Sequence, residues 1–77
     1  MALFDTMTSV YAAVQAAYTA AGAAPPVEPA NATFVMFFIL PEDHTQATAV
    51  CAALRADLGA SYLVGQGTVD VSVEYLP

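Results

Sequence analysis

The residues of this sequence that could do chemistry are few and scattered. His44 follows directly on Glu42 and Asp43, a trio whose side chains serve elsewhere in acid-base pairs and weak metal sites. Both uses require groups that converge on one point, and adjacent positions at a helix start point apart into solvent. The trio therefore reads as an exposed helix start. Cys51 sits among Val50, Leu54 and Leu58; a thiol in apolar surroundings keeps its proton and packs as a small hydrophobe instead of attacking. The stretch GQGT, residues 65 to 68, has two glycines that would let a phosphate approach the backbone, but no lysine and no following helix. A tight turn between two strands accounts for the same residues. Arg55 is the only permanent cation in a chain of net charge -6. Its guanidinium suits a carboxylate, either Asp57 or one on a neighbouring chain, where it would fix orientation. No cluster of Cys and His with metal-ligand spacing occurs. No catalytic residue, cofactor site, metal site or small-molecule substrate is expected.

Charge and size narrow the function classes further. A phosphate backbone is bound through several Lys or Arg contacts and an anionic membrane through clusters of them, so a lysine-free acidic chain is unsuited to both. The longest strongly apolar run, Phe34 to Leu40, falls far short of the ~20 residues of a spanning helix. No basic region precedes an apolar one at the N-terminus, and the expected site of synthesis is a cytoplasm that keeps Cys51 reduced. Charged residues are 10% of the chain, where a globular domain carries about a quarter, mostly at its surface. Such a chain is too poor in charge to clothe itself. At 77 residues it is a single small domain of the size that often needs a staple. One cysteine makes no internal disulfide and no zinc set is present, which leaves association with other chains.

The spacing of apolar residues predicts a helix over about 2–21. Its large side chains, Leu3, Phe4, Met7, Val10, Tyr11, Val14 and Tyr18, fill an arc of roughly 140° at ~100° per residue. Phe4, Tyr11 and Tyr18 recur every seventh residue along one margin and read as core. The opposite side carries Thr6, Ser9, Ala12, Ala13, Ala16 and Ala20, with Asp5 near its start: small, smooth and almost uncharged. A Pro-rich spacer follows over 23–31, and Asn31-Ala32-Thr33 matches the glycosylation sequon, by chance in a chain without a secretory route. The next segment, about 33–40, is apolar at odd and even positions alike and predicts a strand buried on both faces, hence central. A second helix over about 43–58 presents Ala47, Val50, Cys51, Leu54 and Leu58 on one face. It starts at a capping-box pair, Asp43 and Gln46, and stops at Gly59. Strands over about 61–64 and 68–76 close the chain as a hairpin or one bulged strand, with Val69, Val71, Val73 and Tyr75 alternating with Thr68, Asp70, Ser72 and Glu74.

The expected fold is α+β, a small α/β sandwich of order α-β-α-β-β with a three-stranded mixed sheet against two helices. A right-handed crossover would join the first two strands and the last would add antiparallel. Should both helices share one face, Phe34 or Val35 and their alternates would need cover from a neighbouring subunit. The favoured function is a non-catalytic structural subunit of a multi-chain assembly of virion, shell or connector type, a homo-oligomer or a partner of other assembly subunits. Its interface candidates are Ser9, Ala13, Ala16, Ala20, Arg55, Asp70 and Glu74. Two alternatives stand beside it: a small oligomeric enzyme or ligand-binding domain with a pocket between subunits, needing His44, Glu42 and the tyrosines to converge, and an acidic adaptor for a basic partner protein.

Overall fold

The computed structural model describes residues 3–27 and 35–76, with side chains from Ser9 onward. Phe34, the Asn31-Ala32-Thr33 sequon and the side chains of Leu3, Phe4, Asp5, Thr6 and Met7 lie outside the described residues. The elements run α1 (Leu3–Ala20), β1 (Val35–Ile39), α2 (His44–Leu58), a 3-10 turn (Gly59–Ser61), β2 (Tyr62–Gln66) and β3 (Asp70–Tyr75). The fold is α+β in the expected order.

Both helices end where a glycine takes a backbone conformation that a Cβ would strain. At Gly22, with φ of 83°, the Ala23 N–H reaches back to the Tyr18 carbonyl and the Gly22 N–H to Thr19. At Gly59, with φ of 67°, the N–H bonds to the Arg55 carbonyl. Helix α2 begins as its sequence indicates, the Asp43 carboxylate accepting from the Gln46 N–H at 3.0 Å. The Gln46 side chain does not complete the reciprocal box. Its amide Nε2 donates instead to the Gly22 carbonyl at 3.4 Å, joining the end of α1 to the start of α2.

The sheet departs from expectation in two respects. Its order is β1-β3-β2 and both pairings are antiparallel, so it is wholly antiparallel and not mixed. β1 and β2 run the same way but never touch, because β3 enters between them. β1 is consequently an edge strand, and its burial alternates: Met36 and Phe38 are buried while Val35, Phe37 and Ile39 are exposed. The strand is apolar on both faces, yet among the described residues only one is covered.

Both helices lie on that one face. Val10, Val14, Ala17 and Tyr18 of α1 join Ala47, Val50, Cys51 and Leu54 of α2 over Met36, Phe38, Val64, Val71 and Val73 of the sheet in one continuous core. Leu58, expected with the α2 core face, is half-buried at its margin, and Val69 lies exposed in the β2–β3 turn instead of extending β3. Tyr11 is half-buried, and its hydroxyl donates to the Pro26 carbonyl at 2.9 Å, holding the spacer along α1.

Candidate interaction surface

In a strand successive side chains alternate between faces, so the residues not turned to the helices define the second face of the sheet. Register places Val35 opposite Glu74, Phe37 opposite Ser72 and Ile39 opposite Asp70; on the other flank Leu63 faces Glu74 and Gly65 faces Ser72. The face is thus three columns: apolar on β1, Asp70-Ser72-Glu74 down the centre, and Leu63 with Gly65 on β2. Ile39 is 70% exposed, Phe37 66%, Leu63 56% and Val35 36%. Val35, Phe37 and Ile39 form one apolar column and Leu63 stands across the polar β3 column from them, exposed apolar surface of the sort that marks an interaction site. Single exposed hydrophobes are ordinary; a whole uncovered sheet face is not.

The centre of that face is shallow on one side. A Cβ at Gly65 would come within 2.7 Å of the Ser72 Oγ, and the Ser72 hydroxyl donates to the Gly65 carbonyl at 3.4 Å. The Ser72 side chain thus takes the space over Gly65 that a side chain there would need, so the β2 flank of the face is low and polar beside Leu63.

The second surface is the outer side of α1. Ser9, Ala12, Ala16 and Ala20 are exposed, and Ala12, Gln15, Ala16, Thr19 and Ala20 line a shallow trough directed away from the core. Ala13 departs from its expected place. It is half-buried, since 100° per residue brings it round toward the margin of the core face.

The chemical candidates do not assemble into a reactive centre. Glu42 and His44 line one recess of about 250 Å³ with Leu40, Ala47, Gln66 and Thr68, between the start of α2 and the β2–β3 turn. None of the four tyrosines lines it. Tyr18 is buried with its hydroxyl on the Ile39 carbonyl, and Tyr62 and Tyr75 stack tilted on each other with ring centres 5.5 Å apart. GQGT lies only partly in the turn: Gly65 and Gln66 end β2, paired with Ser72 and Val71, and Gly67 and Thr68 begin the connection to β3, closed by a bond from the Gly67 N–H to the Asp70 carbonyl at 2.8 Å. Cys51 is fully buried, and burial raises its thiol pKa, with the nearby Arg55 charge pulling weakly the other way. It is core packing. Arg55 is exposed on α2, and its Nη2 donates to the Val64 carbonyl at 3.4 Å, so the cation is turned to the edge of β2.

Among the described residues no group of three or more His, Cys, Asp or Glu is placed to hold a metal ion, and no helix is long and apolar enough to cross a membrane. Comparison of the chain with protein-family models, with curated proteins and with solved structures finds no match.

Of the interface candidates, Asp70 and Glu74 belong to the open sheet face, Ser9, Ala16 and Ala20 to the outer side of α1, and Arg55 to neither. Phe37 and Ile39 are the alternates of Val35 that the sequence marks as needing cover once both helices share a face, whereas Leu63 is not marked by it. The double apolar parity of residues 34 to 40 carries the first two; for Leu63 the available signal is the inward partner Val64 beside it.

Proposed function

We propose that this protein is a non-catalytic structural subunit of a multi-chain assembly of virion, shell or connector type, and that it works by presenting its uncovered sheet face to a neighbouring chain. The observation that carries this is the exposure of Val35, Phe37, Ile39 and Leu63 together on the side of the sheet that neither helix reaches. Leaving that much apolar surface in water forgoes about 25 cal/mol for each Å² that a partner could bury. The smooth outer side of α1 turns the opposite way, which supports contact from two sides at once, as a subunit within a larger body requires. The scarcity of charge, 10% of residues, agrees with a surface that is largely covered.

The test is a comparison of native particle mass, or co-purification with partner chains, between the parent and a Phe37→Ser/Ile39→Ser variant, with circular dichroism as the control for folding. Both side chains point out of the fold, so the variant should keep its helix content and lose its partners. A folded variant that assembles like the parent would overturn the proposal.

A further inference from the structure

We propose that the chain which covers the open sheet face is not a second copy of this protein but a different chain that lays a line of Arg or Lys along β3 with apolar side chains on either side. This rests on the assembly role above and names its partner.

Self-packing fails on charge. Two sheets stack about 10 Å apart with their strands nearly aligned, so a face-to-face pair of copies would set β3 over β3. Asp70 and Glu74 of each would then share one closed layer with Asp70 and Glu74 of the other, whichever direction the second strand ran. Four carboxylates would lose water with no cation among them, since the only Lys or Arg of the chain is Arg55, on the helix side and bonded to the Val64 carbonyl. Like charges brought together out of water cost far more than the apolar columns would return. Pairing of two copies strand edge to strand edge avoids the clash but does not cover the face: the sheet widens, and Phe37 and Ile39 still point into solvent. Stacking in a head-to-tail series would offer one guanidinium for two carboxylates.

A foreign basic segment meets each term. Asp70 and Glu74, four residues apart on one strand, are separated by about 13 Å. Two arginines seven residues apart on a helix stand about 10.5 Å apart along its axis, within reach of long flexible side chains. Leucine-like groups beside them would meet the β1 column on one margin and Leu63 on the other. Ser72 adds no charge and already bonds within the sheet.

The probe is a synthetic amphipathic helical peptide with two arginines seven residues apart in a leucine stripe, beside the same peptide with glutamates for the arginines. Binding is read by titration calorimetry at two salt concentrations, and the mass of the peptide-free chain by sedimentation. The arginine peptide should bind, the glutamate peptide should not, and added salt should weaken the complex. Glu74→Gln should loosen it about five- to tenfold, and Phe37→Ser should do likewise. Asp57→Asn, which removes the same charge from the far side of α2, should leave it within twofold, separating a local site from the general attraction of an acidic chain. Equal binding of both peptides would overturn the basic-partner proposal while leaving assembly through this face intact. So would a stable dimer of the parent that Phe37→Ser dissolves. A parent that stays a monodisperse monomer and takes up neither peptide would sink both proposals.

Discussion

The Tyr18 hydroxyl donates to the backbone carbonyl of Ile39, so the last turn of α1 is tied to the end of the strand that carries the exposed apolar column. The phenol is almost wholly buried at this junction. Burial, and secondarily the charge Cys51 would carry as a thiolate, pushes its pKa from 10.0 to about 12. Below 10 both folded and unfolded chains keep the phenol proton. Between 10 and about 12 the unfolded chain loses it and the folded chain holds it, so stability declines as pH rises through that window. The raised thiol of Cys51 acts in the same sense. Thermal unfolding midpoints taken between pH 8 and 12 should fall steeply above 10. Tyr18→Phe should flatten that fall while costing about 1 kcal/mol at neutral pH for the lost hydrogen bond.

The two alanines of α1 that sequence alone would treat as equivalent should separate. Ala16 is exposed in the trough on the outer side, and Ala13 is half-buried. Ala16→Glu should leave the circular dichroism spectrum and urea midpoint unchanged and should weaken assembly, since a bulky carboxylate then enters a close contact. Ala13→Glu should lower the urea midpoint itself. Were Ala16→Glu to assemble as the parent does, the outer side of α1 would be plain solvent surface.

Asp43 should be worth more than its exposed position suggests. It satisfies the Gln46 N–H at the start of α2, and Asp43→Ala should cost about 1 kcal/mol, read from chemical denaturation. Gln46→Ala should cost less, because the amide bond to Gly22 that it removes is long and exposed.

Cys51 should behave as a core residue. Cys51→Ala removes a fully buried sulfur and should cost about 1–2 kcal/mol, with particle mass unchanged. Cys51→Ser should cost more, since its hydroxyl would enter an apolar site. Loss of assembly in a folded Cys51→Ala protein would show that the thiol does more than pack.

Most of α2 is legible in the sequence because its start, its stop and its buried face are all local: Asp43, Gly59 and the spacing of Ala47, Val50, Cys51 and Leu54. β1 is legible as a strand and misleading as to its place. Val35, Phe37 and Ile39 are as apolar as Met36 and Phe38, and periodicity cannot tell a face covered by the same chain from one left uncovered by it. The mixed sheet was the natural consequence of joining β1 and β2 through α2. Nothing local in residues 35–66 reveals that Asp70–Tyr75 will enter between them, because strand order is decided by pairing across some thirty residues or more. Arg55 was legible as the sole cation; its turn toward the Val64 carbonyl depends on how α2 lies over β2.

The central position of β3 also orders events in time. During synthesis both β1 and β2 leave the ribosome before it, and neither has a backbone partner within the sheet until Asp70–Tyr75 arrives. Until then β1 and β2 have no ladder to join, and the sheet is complete only once β3 has entered between them. By the same token the protein has a natural point of division: a fragment stopping before Asp70 would be an acceptor with a vacant central slot, and a short peptide spanning β3 its complement, so that the two halves could serve as a split reporter whose signal is the closing of one sheet.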